Sequence, residues 1–328
     1  MICVGGRRPY LVAAVACTAL AMLAACSSGG SAGHRAVRPV LPAGATVVLG
    51  KGTLYLLLGD VAISANLWRA DLVTGRIRQL TFNRSQYGVS NFSASTAGLV
   101  LGDARSGVDE AEIMVAGKPR LLSDGVGDSP QINSAGQIVD VAFAEQGVKH
   151  GPWSRDRLLY WASPASRYRA IYQAKQSRYL PQSSTLADLS WSPTGTMILA
   201  AQGPDAYDRL FAVNPRGQVV QHFVTVPGFP RGWAWGRYGL AVGYQTGRHS
   251  VVLGETGRVR AKLPGKWIPG CWNPAGTMLL VSTPNRERIG IWTPASPGHV
   301  RDLGRLPGGA LQECSWTTRP APGTGEPS

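Results

Sequence analysis

The stretch SWSPTGTMILA, at residues 190–200, returns almost letter for letter as CWNPAGTMLLV at residues 271–281. Each copy reads as a strand that ends in tryptophan, a tight turn with proline and glycine, and a second strand. The second strand is a short apolar run, which is typical of a buried strand rather than a helix. Because one hairpin cannot bury its own face, we expect further copies that stack against one another.

Weaker copies of this hairpin occur along the chain, each marked by an aromatic residue or isoleucine near the end of its first strand. These anchors are Phe92, Ile132, Trp191, Trp235, Trp272 and Trp316. Their successive spacings are 40, 59, 44, 37 and 44 residues, and a period near 40 with about four short strands is typical of a propeller blade. The six anchors predict an all-β, six-bladed β-propeller in which the repeated tryptophans pack between sheets.

The two ends of the chain are predicted to share one blade. Strands are expected at residues 53–58, 65–72 and 76–81 with no anchor strand before them, whereas residues 311–317 form an anchor strand with no followers. Joining these N- and C-terminal strands completes a blade and removes free sheet edges. The predicted propeller covers residues 45–318, and residues 319–328 are predicted to be a disordered tail.

Three segments resemble the TolB-like, or WD40-like, propeller repeat. They are RQLT at residues 78–81, RLLS at 120–123 and WSPTG at 191–195. The family's hairpin has Asp where this chain has Thr194 or Ala275. The resemblance covers most of residues 46–318 and implies a propeller that binds envelope partners without being an enzyme.

The first 25 residues are predicted to be a signal peptide. Arg7 and Arg8 precede an apolar run at residues 11–23, which is too short to span a membrane as a stable helix. The letters LAAC at residues 23–26, followed by SSGG, resemble a bacterial lipobox, which implies that Cys26 is lipidated. Residues 26–44 would then be the lipidated cysteine and a flexible tether, with the protein anchored to the outer face of the cytoplasmic membrane or cell envelope. The choice between Sec and twin-arginine export stays open.

The charge of the mature chain indicates its surroundings. Removing Arg7 and Arg8 leaves 33 − 2 = 31 basic residues against 19 acidic ones, a formal charge of +12. Such a charge favours lipid headgroups or acidic envelope polymers. No nucleic-acid-binding motif is present, so nucleic acid is not an expected partner. The expected partner is an envelope protein or an anionic envelope polymer, with the membrane contacted through the N-terminal lipid and the protein itself a monomer.

No motif in the sequence carries catalytic chemistry. The five histidines are not paired at ligand spacing, and no Cys-x-x-Cys, Gly-x-Ser-x-Gly or phosphate-binding loop occurs, so no metal, cofactor or catalytic residue is expected. Binding residues are expected in the loops that join the second and third strands of each blade, at one mouth of the central channel. The candidates are Asp60, Asn66, Arg105, His150, Arg155, Asp205, Tyr207, Arg248, His249, Arg286 and Arg288. The alternative is that these are ordinary solvated loop residues.

Two cysteines are left in the mature domain once the signal peptide and Cys26 are set aside. Cys271 and Cys314 both lie just ahead of an anchor, on the innermost strands of neighbouring blades. In an oxidising compartment we expect them to form a disulfide, the alternative being two buried thiols.

The function favoured by these features is a membrane-anchored binding scaffold. A propeller hydrolase or lyase that acts at the channel mouth, and an accessory modulator of a membrane sensor kinase, are the alternatives.

Overall fold

The computed structural model describes residues 41–59, 65–82, 89–103, 110–122, 129–142, 156–174, 185–203, 209–223, 230–244 and 250–324, all within the compact unit Val37–Ser328. The signal peptide, Cys26 and most of the predicted tether lie outside the described residues. The described elements are α1 Ala45–Leu49, β1 Thr53–Leu58, β2 Asn66–Asp71, β3 Ile77–Gln79, β4 Val89–Ser95, β5 Gly98–Asp103, β6 Glu110–Val115, β7 Lys118–Leu121, β8 Gln131–Ile132, β9 Ile138–Ala142, β10 Arg157–Trp161, β11 Arg169–Gln173, β12 Thr185–Trp191, β13 Ile198–Gly203, β14 Arg209–Val213, β15 Val219–Phe223, β16 Pro230–Gly236, β17 Gly239–Tyr244, β18 Val251–Leu253, β19 Val259–Lys262, β20 Ile268–Trp272, β21 Leu279–Ser282, β22 Arg288–Trp292, β23 Val300–Arg305 and β24 Leu311–Thr317.

These strands form six four-stranded antiparallel sheets, one for each blade of a β-propeller. Blades 1 to 5 follow the chain as β4–β7, β8–β11, β12–β15, β16–β19 and β20–β23. The sixth, here called the closing blade, has the order β24-β1-β2-β3. Every predicted anchor lies on the innermost strand of a different blade, which confirms the six-bladed architecture.

The apolar content of a strand falls from the second strand of each blade to its outer edge. All residues of β1, β9 and β21 are buried, whereas the outermost strand β19 is mostly exposed. A strand that is covered on both faces needs a continuous apolar run, and an outer strand does not.

The organising hairpin has the predicted turn. Trp191 pairs with Ile198, and the Ser192 hydroxyl accepts backbone N–H groups from Thr196 at 3.2 Å and Met197 at 3.0 Å. Gly195 has a φ of 68°, a left-handed conformation that glycine adopts without strain. In blade 5 an asparagine side chain, that of Asn273, accepts the two corresponding N–H groups.

The closing blade is built from both ends of the chain, as predicted. Strand β24 pairs with β1 in antiparallel register, so that Thr317 lies opposite Thr53 and Trp316 opposite Leu54. Next to this pairing, Cys314 on β24 forms a disulfide with Cys271 on β20, and their Cα atoms are 5.6 Å apart. The disulfide therefore joins the innermost strands of blade 5 and the closing blade.

Both predicted ends of the propeller need correction. The prediction of a disordered tail is wrong for residues 319–324, because Ala321 and Thr324 are 2% and 1% exposed and Ala321 donates its N–H to the Tyr55 hydroxyl at 2.8 Å. The tether also ends earlier than residue 44, because Leu41 is 4% exposed and belongs to the core cluster that contains Leu49 and Leu306. Both segments are ordered by contacts with distant strands rather than by their own sequence pattern.

Candidate functional site

The innermost strands surround a central channel with a cavity volume of about 730 Å³. The residue immediately before each anchor lines this channel. These six residues are Asn91, Gln131, Ser190, Ala234, Cys271 and Ser315. They are small or uncharged, and four of the six are polar, so the wall offers hydroxyl and amide groups between the buried anchors.

Polar side chains of the channel wall also join neighbouring blades. Ser315 on the closing blade donates to the Ala94 carbonyl of blade 1 at 2.9 Å. Ser93 of blade 1 accepts the backbone N–H of Ile132 in blade 2 at 3.2 Å. The innermost strands present one backbone edge that no strand of their own sheet covers, and these side chains satisfy part of that edge.

Three anchor tryptophans are buried, as predicted. Trp191 and Trp272 bond the preceding blade in the same way, whereas Trp316 bonds a carbonyl just ahead of β1 in its own blade. The indole N–H of Trp191 donates to the Gln131 carbonyl of the preceding blade at 3.0 Å. Trp272 makes the equivalent bond to the Ala234 carbonyl at 3.0 Å, and Trp316 bonds the Lys51 carbonyl at 3.4 Å. These rings are therefore structural, each with its polar edge satisfied.

Glu313 and Arg286 are the charged residues that line the channel among those the structure describes. A carboxylate oxygen of Glu313 accepts the backbone N–H of Phe92, across the blade boundary, at 2.8 Å. The Arg286 guanidinium donates to the side-chain oxygen of Gln312 at 3.1 Å and to its carbonyl at 3.3 Å. Gln312 in turn donates to the Gly59 carbonyl at 2.8 Å.

This network positions Arg286 at one end of the channel. Arg286 lies in the turn between β21 and β22, where its φ of 60° places a non-glycine residue in the left-handed region. Its backbone is held at both ends, by donation to Thr283 and by acceptance from Leu311. A strained backbone persists only where its surroundings determine it, and the hydrogen bonds to Gln312 hold the guanidinium at the channel mouth.

Arg286 is the described candidate that the structure places at the channel. Asn66 begins β2 and does not line the cavity. Arg288 lies on the outer side, where it forms an ion pair with Asp302 on β23 at 2.7 Å. Burial raises the pKa of Asp302, but hydrogen bonds from Arg288 and the Gly304 N–H outweigh it and leave the pKa below its usual value. The remaining mouth candidates lie outside the described residues; they are Asp60, Arg105, His150, Arg155, Asp205, Tyr207, Arg248 and His249.

The polar channel wall was not predicted, although a signal for it exists. The position before each anchor is Asn, Gln, Ser, Ala, Cys or Ser, and none of these is a large apolar residue, unlike most residues of the second strands.

The chemistry available in the described residues is hydrogen bonding and charge recognition. No group of three or more His, Cys, Asp or Glu side chains that could hold a metal ion is found within the described ranges. Over the same residues, no helix is long and apolar enough to cross a membrane.

Comparison with known proteins gives similarity at the level of fold. No protein-family model and no curated protein matches the sequence. Among solved structures, TolB from Acinetobacter baumannii aligns with a TM-score of 0.58 and 14% identity over 81% of this chain and 66% of TolB. This chain therefore spans about two thirds of TolB. A protein of unknown function from Bacteroides caccae aligns with a TM-score of 0.55 and 12% identity, over 83% of this chain and 99% of that protein. A chain of the nidogen/laminin complex aligns with a TM-score of 0.52 and 12% identity, over 81% of this chain and 100% of that chain. Together with the blade order, these likenesses establish that the chain folds as a six-bladed β-propeller similar to that of TolB.

Proposed function

We propose that this protein is a membrane-anchored, extracytoplasmic binding scaffold that recognises an envelope protein or polymer at the mouth of its channel. The observation that carries the proposal is the fixed position of Arg286 at the rim of a polar channel. A guanidinium forms paired hydrogen bonds with carboxylate or phosphate groups, and a partner that presents such a group fits this mouth.

The rigidity of the ring supports a role in binding. The disulfide and the shared closing blade hold the innermost strands of blade 5 and the closing blade in place, so these strands have little conformational freedom to lose when a partner binds. Surfaces that are organised before binding lose less entropy in the complex. A protein that serves as a platform needs this property, whether or not the platform also carries chemistry.

The anchor follows from the lipobox-like sequence at residues 23–26. Cys26 and Leu41, the first residue that the structure describes, are separated by 15 positions in the sequence. A flexible chain of that length has a mean end-to-end distance of about 20 Å, which would hold the propeller close to the membrane.

Cys26→Ala tests the anchor. We expect the variant to leave the membrane fraction or to accumulate unprocessed, because the modified thiol is missing. Fractionation followed by intact-mass analysis of the mature N-terminus measures both. Unchanged membrane retention with a mature N-terminus elsewhere would contradict the proposal.

Arg286→Ala tests the mouth, with Arg288→Ala as its matched control. Crosslinking in cells followed by purification should recover less partner with Arg286→Ala, whereas Arg288→Ala, which removes the same charge on the outer side, should recover as much as the native protein. Equal recovery from all three would show that the mouth is not the binding surface. An Arg286→Lys variant separates loss of charge from loss of the hydrogen-bonding fork.

Turnover of a sugar or another small substrate by the purified protein alone would favour the propeller enzyme instead.

A further inference from the structure

Among the residues that the structure describes, most of the exposed lysines and arginines lie at the outer edge of the propeller. The exposed lysines and arginines of the outermost strands and the turns beside them, here called the basic rim, are Arg76, Lys118, Arg120, Arg167, Arg169, Arg216, Arg258, Arg260, Lys262, Arg301 and Arg305. They come from all six blades. Among the described residues, the exposed positive charge is therefore concentrated at one structural position, the perimeter.

Acidic residues are nearly absent from the same strands. The six outermost strands contain one acidic residue, Asp302, and it is paired with Arg288. Nearby, Glu255 lies in the turn before β19, and Glu287 forms an ion pair with the rim residue Arg305 at 3.2 Å. On β7 the basic residues Lys118 and Arg120 are two positions apart in regular register with β6. Side chains two positions apart lie on one face of a strand, about 6.6–6.8 Å from each other, and so present a short row of positive charge.

We propose that the basic rim binds a linear phosphate-bearing polymer that lacks nucleobases. The charge of the rim attracts a polyanion, and arginine binds phosphate oxygens with paired hydrogen bonds. The distribution around six blades suits a flexible chain that follows a curved perimeter, because a flat membrane would touch only one sector of a ring. This surface is separate from the channel mouth, so its binding is independent of the function proposed above.

The chemistry of the rim favours a polymer without bases. Proteins that hold single-stranded nucleic acid combine positive charge with aromatic side chains on which the bases stack. Among the described residues, the aromatic ring that is largely exposed is that of Phe82, next to β3. The rim therefore supplies charge in every blade without a matching row of aromatic rings.

Basic residues on edge strands also have a second known effect, which is to prevent sheets of different molecules from pairing. The two roles predict different results when the charges are removed. If the charges only protect edges, neutral variants will self-associate but still bind a polyanion. If they form a binding surface, neutral variants will lose polyanion binding while remaining monomeric.

The test uses inorganic polyphosphate as the probe and the purified full-length protein. The rim variant carries Lys118→Gln, Arg120→Gln, Arg258→Gln and Lys262→Gln. The control variant carries Lys51→Gln, Arg237→Gln, Lys266→Gln and Arg319→Gln, which removes the same charge from exposed positions away from the outermost strands. We expect the rim variant to bind at least about tenfold more weakly than the control, with a salt dependence shallower by about 3 in log–log slope. Two double variants, one with Lys118→Gln and Arg120→Gln and one with Arg258→Gln and Lys262→Gln, should each show part of this loss. They replace the fourfold variant if it does not fold.

The same assay contains the results that would overturn the proposal. Equal weakening in rim and control variants would mean that only net charge matters. Tighter binding to single-stranded DNA of equal charge would assign the rim to nucleic acid, and binding to anionic vesicles without binding to polyphosphate would assign it to a membrane. Self-association of the rim variant with unchanged polyphosphate binding, measured by light scattering, would leave edge protection as the function of these residues.

Discussion

Tyr55 joins two parts of the chain that lie 266 residues apart. Its side chain is fully buried, and its hydroxyl accepts the backbone N–H of Ala321 at 2.8 Å and lies 3.3 Å from the Thr324 hydroxyl. Burial raises the pKa of Tyr55, more than these hydrogen bonds and the charge of Arg69 lower it. The phenol group is therefore one of the contacts that hold the C-terminal segment against the closing blade.

Tyr55→Phe should lower the free energy of unfolding by about 1–3 kcal/mol, because the Ala321 N–H is left buried without an acceptor. The raised folded-state pKa means that the native tyrosine loses stability as the pH rises through it, above about 10, whereas below the unfolded value that stability is fully present. The phenylalanine variant should lack this alkaline loss. Urea denaturation at neutral and alkaline pH measures both effects, with Tyr160→Phe as a control in blade 2. An alkaline loss equal to that of the native protein would contradict the assignment.

Gly236 shows how closely the blades approach. A β-carbon at this position would lie 2.3 Å from the Cγ atom of the buried Trp272 in the next blade. Gly236→Ala should therefore destabilise the protein by at least about 1–3 kcal/mol through overpacking. Gly254→Ala is the control, because its β-carbon would meet its nearest atom at 3.9 Å, and it should change stability by less than about 0.5 kcal/mol. Similar denaturation midpoints for the two variants would mean that Trp272 moves aside freely.

At the level of elements, the hairpin turn is the unit that the sequence predicts best. Its proline and glycine shape the turn, and the side chain of Ser192 or Asn273 accepts backbone N–H groups of the turn. The order of these residue types in the sequence is enough to recognise it. The strands that follow are recognisable because they are buried on both faces and therefore continuously apolar. Local chemistry thus explains why the number of blades and their closure could be predicted.

The elements that the sequence does not predict depend on remote contacts. Residues 319–324 have a turn-like composition with no apolar period, yet Ala321 packs with Leu57 and Met114 in one core cluster. Helix α1 is five residues long and is held by packing in the cluster with Ile289 and Leu306 rather than by helix propensity. Likewise, the pairing of Arg286 with Gln312 requires knowing that the turn between β21 and β22 meets β24 at the channel.

The disulfide is the element that fixes the last strand. Cys271→Ala together with Cys314→Ala should lower the free energy of unfolding by about 3–4 kcal/mol, because the bond closes a loop with a sequence separation of 43 residues. Intact-mass analysis of the purified protein, alkylated with and without reductant, measures the bond itself, and Cys26→Ala should leave it intact. Two alkylatable thiols without reductant would contradict it.

At the scale of the whole molecule, the two terminal segments lie on opposite sides of the closing blade. Leu41 and Leu49 share a core cluster with Ile289 and Leu306 of the blade 5 side. Ala321 shares one with Met114 of blade 1, and the backbone N–H of Gly117 donates to the Gly323 carbonyl at 2.6 Å. The closing blade therefore has extra contacts to both of its neighbours, blade 5 and blade 1, and these contacts are here called the seal.

Deletion of residues 320–328 should loosen this seal. We expect a loss of about 1–3 kcal/mol, because the Tyr55 hydroxyl loses its partners in a buried position, together with faster amide exchange in β1 and β6. Deletion of residues 325–328 alone is the control and should change neither quantity. Hydrogen exchange with thermal denaturation measures both, and an unchanged exchange rate after the longer deletion would show that the segment does not contribute to the seal.

The closing blade also sets the time at which the protein can finish folding. Thr53 and Thr317, which face each other across β1 and β24, are 264 residues apart. At a synthesis rate of roughly 5–20 residues per second, that interval lasts roughly 15–50 s. During it, β1 is made but its inner edge has no partner, and such an edge recruits strands from other nascent chains. The synthesis of β24 therefore ends the period in which β1 is open to aggregation.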